Sequence, residues 1–358
     1  MKAICVSALI MAGIISATAQ TKWVNPMETG YPTVQNQAWP AEIGDSYVRL
    51  PARAESKVRK PLWDLSRSSA GLAINFKTDA PSITVRYTVA GDRAMPHMPA
   101  TGVSGVDMYR VNDNGTEEFC FSSYNMGDTI RYQYNNLPGG MAEYHLNLPL
   151  FTEVKYLEIG VPDSTSIEIL PRNEEKPIVV YGTSICHGAC ASRPGMAWVN
   201  IMRRKLDMPV VNLGFSGNGR LEPEMIDLIS EIDAAMYILD CMPNLTTTPD
   251  EEVEKRVINS VKSLREKSSA PILLIEHAGY SNGETNKGMK NTYTRLNASQ
   301  RRAFDKLQTE GVSNLYYITR SDIGMPADAW VDYVHPTDLG AQRQADVVTG
   351  RVESILNK

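Results

Sequence analysis

The chain has 358 residues, long enough for two domains that each bury a core, and its 42% apolar and 22% charged residues are those of a globular protein. The net charge of −5 is not offset by any basic block, which excludes a nucleic-acid binder. Beyond the N-terminus no apolar run is long enough to span a bilayer.

Residues 1–19 combine Lys2, an apolar stretch from Ala3 to Ile15 and the small-residue run Ala17-Thr18-Ala19. This pattern predicts a secretory signal peptide cleaved before Gln20, and hence a periplasmic or secreted protein. Cys5 lies inside the apolar stretch, so no lipid anchor is indicated, and processing leaves Cys120, Cys186, Cys190 and Cys241. In an oxidising compartment these could pair. A Cys190–Cys241 bridge clamping two loops is the favoured pairing, with free buried thiols as the alternative.

From 20 to 172 the apolar pattern has period two and many turns. Ala73–Phe76, Ser82–Val89, Val106–Val111, Tyr144–Leu148 and Val154–Ile159 alternate as half-buried strands do. Asn112-Asp113-Asn114-Gly115 reads as a hairpin turn, since Asn-Gly accepts positive φ. No long helix is expected here, and an all-β, jelly-roll-like sandwich is predicted.

Residues 173–177, charged and closed by Pro177, read as a linker. From 178 to 358 short apolar strands (178–181, 210–213, 234–239, 272–275, 315–318) alternate with amphipathic runs (196–206, 223–232, 252–267, 296–310, 336–356). Such alternation predicts an α/β domain: a flavodoxin-like, doubly wound parallel five-stranded sheet with helices on both faces. Ligands of such sheets sit at the carboxyl ends of the strands. Ser184, Gly217 and Asn244 all follow strand ends and are expected to converge on one edge.

These residues have complementary chemistry. A serine hydroxyl needs a neighbouring base, and that base needs an orienting group. Ser184 supplies the hydroxyl, His335 the base and Asp332, three residues earlier, the orienting carboxylate. Pro336 is expected to open the last helix. The N–H groups of Ser184 and Gly217 and the side-chain amide of Asn244 are suited to an oxyanion hole. His187, Arg193, Arg220 and His277 are candidate substrate-binding residues, whereas His97 and His145 fall in the β region. The cysteine and histidine spacing around 186–190 is too cramped for a usual zinc loop, and no metal or organic cofactor is expected.

The four patches, Gly182-Thr183-Ser184, Asn212-Leu213-Gly214-Phe215-Ser216-Gly217, Asn244 and Asp332-Tyr333-Val334-His335, resemble the blocks of SGNH (GDSL-like) hydrolases. Carried over residue by residue, Ser184 matches the nucleophile, Gly217 the second block, Asn244 the third and Asp332 with His335 the last. Gly105-Val106-Asp107-Met108-Tyr109 resembles the Gly-x-Asp-Leu-Tyr signature of the β-rich domain preceding some bacterial members. Two positions depart from the pattern: Thr183 replaces an aspartate, and Cys241-Met242-Pro243-Asn244-Leu245 replaces the usual Gly-x-Asn-Asp. The resemblance implies a secreted serine esterase that removes acetyl or other short acyl groups from a small-molecule or polysaccharide ester. A lysophospholipase or thioesterase, and an inactive carbohydrate-binding protein, are the alternatives. An α/β-hydrolase is disfavoured because Cys186 stands where Gly-x-Ser-x-Gly needs glycine.

Overall fold

A computed structural model describes residues 20–357, so the expected signal peptide lies outside the described residues. The N-terminal part consists of two antiparallel sheets. In one, Thr21–Val24, Glu153–Pro162, Ser82–Ala90, Ile130–Asn135 and Ser123–Asn125 are neighbours in that order. In the other the order is Ile167–Ile169, Ala73–Thr78, Ala142–Asn147, Asp107–Val111, Glu117–Cys120. Alternation explains the packing: Ile83, Val85 and Tyr87 of one strand point inward with Ile74, Phe76, Met108, Tyr144 and Leu146 of the facing sheet. Gly115 takes φ +81° in the expected turn between Asp107–Val111 and Glu117–Cys120.

The second sheet-bearing part has five parallel strands: Ile178–Gly182, Val210–Gly214, Met236–Asp240, Ile272–Ile275 and Leu315–Ile318. Their spatial order is second, first, third, fourth, fifth. Helices Trp198–Leu206 and Asp338–Leu356 cover one face, and Pro223–Ile229, Asp250–Lys267 and Lys287–Thr309 the other. This is the expected doubly wound arrangement. Pro336 does not open the last helix; Thr337 is its N-cap, its side chain accepting from the Gly340 N–H. The helix expected from 296 begins at Lys287, because Asn286 caps the N–H groups of Gly288 and Met289.

The expected boundary at 172 does not separate the two cores. Trp39, Leu50, Ala54, Val58 and Leu62 pack with Val179, Leu213 and Phe215 on the parallel sheet. The segment includes a short helix at Lys60–Ser66, consistent with the expectation that no long helix occurs here. Arg49, 2% exposed, threads this contact and donates to the carbonyls of Asn212 (3.2 Å) and Gly214 (2.7 Å). The expected Gly-x-Asp-Leu-Tyr-like signature supplies a second fastening. A Cβ at Gly105 would lie 2.4 Å from the Tyr132 hydroxyl. Asp107 accepts from the Gly195 N–H (2.8 Å) and from Arg193 (2.6 Å), which also donates to Tyr109.

Glu117 forms a third tie, accepting from Arg203 (2.8 Å) and pairing with His145 (2.8 Å). Burial acts to raise the Glu117 carboxyl, but the His145 hydrogen bond and the Arg203 guanidinium outweigh it and bring it down to about 2. A carboxylate depressed in the folded state stabilises the fold above its unfolded pKa and loses that contribution as pH falls through the folded one. On the order of 3 kcal/mol is at stake between pH 4.5 and 2. The stability difference between wild type and Glu117→Gln is therefore expected to be largest near pH 6 and to shrink below pH 4.5. Urea melts across that range check it, and a pH-independent difference would contradict it.

Candidate active site

The first parallel strand ends at Gly182, where a Cβ would lie 2.2 Å from the Cys186 sulfur, so the chain can turn tightly only because the residue is glycine. Thr183, in place of the usual aspartate, caps the short helix Ser184–His187 by accepting from the Ile185 N–H at 3.3 Å. Ser184 is thus the first helical residue, 6% exposed, with its hydroxyl at the carboxyl edge of the sheet.

Asp332, Val334 and His335 lie in a loop closed by the Val331 N–H donating to the His335 carbonyl at 2.9 Å. Asp332 Oδ1 accepts the N–H groups of Val334 (2.8 Å) and His335 (2.7 Å). Its Oδ2 is 2.7 Å from His335 Nδ1, and His335 Nε2 is 2.9 Å from Ser184 Oγ. Burial acts to raise the Asp332 carboxyl, but the His335 backbone N–H, the imidazole and the Val334 N–H together hold it below its ordinary value. It is a carboxylate that orients the ring with Nδ1 protonated and Nε2 free to accept from the serine.

Gly217 follows the second strand with φ +69°. Arg220 donates to its carbonyl at 2.9 Å and Asn218 to the Ser216 carbonyl at 2.8 Å, which shape the loop. Asn244 lies in a short turn after the third strand. Its Oδ1 accepts the Gly219 N–H at 3.1 Å, which leaves its NH₂ as the free end of the amide. Among the described residues no hydrogen bond engages that NH₂ or the N–H groups of Ser184 and Gly217. Ser184, Gly217, Asn244 and His335 line one cavity of about 510 Å³ together with Ser216, Thr246, Tyr280, Met289, Thr292 and Tyr333.

Three of the four candidate substrate-binding residues are occupied elsewhere. His187 is fully buried: its Nε2 lies 2.7 Å from the Leu150 carbonyl and its Nδ1 accepts from the Ser216 N–H at 3.4 Å. Burial, then the Arg49 charge, keeps it neutral, so it supports the Gly217 loop from beneath. Arg193 is bound to Asp107 and Tyr109. His277 is buried, accepts from the Gly279 N–H (3.0 Å), and packs its ring 4.5 Å from Tyr280; burial pushes it down to about 3. Arg220 is exposed beside the loop it braces.

The Cys190–Cys241 bridge is not formed. Both are free and buried, and their thiols point to different carbonyls, Cys190 to His97 (3.5 Å) and Cys241 to Tyr181 (3.6 Å). Cys241 sits beneath the first strand, and Cys190 faces the β part. His97, assigned to the β part alone, lies against His335 with ring centroids 5.7 Å apart and the rings tilted by 31°. Its only sequence signal is the proline-bracketed loop Met95-Pro96-His97-Met98-Pro99, and nothing local pairs that loop with residue 335.

The profile of the GDSL-like lipase/acylhydrolase family matches residues 175–353, and that of the N-terminus of SGNH-hydrolase-type esterases matches 21–167. The chain belongs to the GDSL-like lipase/acylhydrolase family. As a member it is a carboxylic ester hydrolase. A GDSL-like lipase from Bacteroides ovatus ATCC 8483 is 30% identical, with TM-score 0.87, over 94% of this chain and 98% of that one. Two further solved structures share the fold at lower identity. A salicylyl acyltransferase from a tetracycline biosynthetic pathway has TM-score 0.76 at 18% identity, covering 93% and 97% of the two chains. A family two carbohydrate esterase from Cellvibrio japonicus has TM-score 0.58 at 12% identity, covering 94% and 98%. No curated protein matches the chain. No helix among the described residues is long and apolar enough to cross a membrane.

Proposed function

We propose that the protein is a secreted or periplasmic serine esterase that removes acetyl or another short acyl group from a carbohydrate through an acyl-enzyme. The observation carrying the serine mechanism is the chain of contacts from Asp332 through His335 to Ser184, 2.7 and 2.9 Å long, at the wall of the cavity. Ser184 Oγ attacks the acyl carbon while His335 Nε2 takes its proton, and Asp332 holds the resulting imidazolium. The oxyanion is met by the N–H groups of Ser184 and Gly217 and by the Asn244 NH₂. Collapse breaks the bond to the alcohol, which leaves with the proton from His335. Water, deprotonated by His335, then releases the acid and restores Ser184.

The carbohydrate reading is supported by the cavity's mixed lining. Thr246, Thr292 and Ser216 offer hydroxyls, and Tyr333, 52% exposed and 5.5 Å from Tyr280, offers a flat ring for the apolar face of a sugar. Past Ser216 a second hollow of about 400 Å³ begins, lined by Pro61, Leu65, Met95, His97, Met98 and Phe151. Such a trough suits an extended alcohol, and the presence of a carbohydrate esterase among the structural neighbours supports the reading. Secretion rests on the pattern of residues 1–19.

Acetylated xylan and p-nitrophenyl esters of rising chain length test the substrate class. Acetate release from the polymer is expected, with kcat/KM falling by about tenfold or more from acetate to octanoate. A rise toward long chains, with no acetate released, would favour a lysophospholipase or thioesterase instead.

A further inference from the structure

One group of metal-ligating side chains adjoins the proposed catalytic chain and shares His335 with it. The donor atoms of His97, Cys190 and His335 all lie within 4.8 Å of one another. Two of the three come from the α/β part and one from the β part, so no local spacing in the sequence announces them. We propose that these three residues form a site for a thiophilic divalent cation such as Zn²⁺, and that its occupation switches the esterase off.

Two nitrogens and one thiolate are the donor set that borderline-soft ions prefer over Mg²⁺ or Ca²⁺. Three protein ligands and one water complete a tetrahedron around zinc, with donors about 3.3–3.6 Å apart. Closing the present spread needs side-chain movements of about 1 Å, which the exposed His97 can make. Among the described residues no partner engages either ring nitrogen of His97. The hollow lined by His97 and Ala189 gives a path from solvent. Asp332 lies on His335 Nδ1 at 2.7 Å, the carboxylate–histidine pairing that orients a metal-ligating imidazole.

The same contact dictates the consequence. With Nδ1 committed to Asp332, the cation takes Nε2, the atom now 2.9 Å from Ser184 Oγ. On binding, the Cys190 S–H loses its proton to solvent as the sulfur–metal bond forms, and nothing is oxidised or reduced. Ser184 then has no base. The switching-off rests on the serine-esterase reading, whereas metal binding itself does not.

Co²⁺ serves as the spectroscopic probe and Zn²⁺ as the inhibitor, both with the full-length protein. Wild type is expected to develop a near-UV thiolate-to-cobalt absorption that saturates at one ion per chain. Ser184→Ala should retain that band, because the site does not need hydrolysis. Cys190→Ser should hydrolyse p-nitrophenyl acetate as wild type does, lack the band, and need at least about tenfold more Zn²⁺ for half-inhibition. His97→Gln should weaken the band likewise. Wild type without a thiolate band in excess Co²⁺, or Cys190→Ser inhibited at the wild-type Zn²⁺ concentration, would overturn the proposal. A wild type that shows the band but hydrolyses no ester would sink the serine-esterase reading and leave the cation site standing.

Discussion

Ser184→Ala is expected to lower kcat for p-nitrophenyl acetate by about 10⁴–10⁶-fold, because among the described residues no other hydroxyl is hydrogen-bonded to the base. The fold should survive the change. Among the described residues the serine hydroxyl makes one hydrogen bond, to His335, and its loss costs about 1 kcal/mol. The helix cap is made by Thr183 and is untouched. Stopped assays with matched circular dichroism and melting curves separate the two effects. A variant that keeps activity within about tenfold of wild type would remove Ser184 from the mechanism.

Asp332→Asn has the second-largest expected effect, a fall of about 10⁴-fold in kcat. The carboxylate has two separable jobs. Oδ1 accepts two backbone N–H groups, a task an amide oxygen also performs, so the 331–335 loop keeps its shape. Oδ2 accepts from His335 Nδ1, and an amide NH₂ in that place can only donate. Nδ1 must then become the acceptor and Nε2 must carry the proton. In that tautomer the ring cannot take the proton of Ser184. Steady-state kinetics of the folded variant check this, and a loss below about tenfold would make Asp332 a loop anchor and nothing more.

Much of the parallel sheet was legible in the sequence because its strands are short apolar runs bounded by helices. Ile272–Ile275 and Leu315–Ile318 begin and end where the pattern does. Helix Lys287–Thr309 was read nine residues late, since its first turns are polar and contain Gly288, and only the cap at Asn286 marks its start. The segment around Trp39 to Leu62 has no clean period, because it covers another element's face irregularly instead of forming a strand or long helix. That kind of tertiary packing leaves no local signature.

The candidate site divides in the same way. Ser184, Gly217, Asn244 and the Asp332/His335 pair follow strand ends or share a loop, so topology alone brings them to one edge. The aim of Asn244, obscured by its unfamiliar Cys241–Leu245 surroundings, is set by a contact with Gly219 that no spacing rule predicts. His187 was read as lining the cleft because it lies three residues from Ser184, yet one helical turn points it inward to Leu150 and Ser68. His97 reaches His335 only through the docking of the β part.

In the proposed mechanism Ser184 becomes covalently acylated during turnover. Labelling with an organophosphate that phosphorylates activated serines, diethyl p-nitrophenyl phosphate, followed by peptide mass spectrometry, probes that step at the residue itself. One diethylphosphoryl group per chain is predicted, on the peptide containing Ser184, with parallel loss of esterase activity and no adduct in Ser184→Ala. Undiminished ester hydrolysis after full exposure, or an adduct on another residue that accompanies the inactivation, would contradict it.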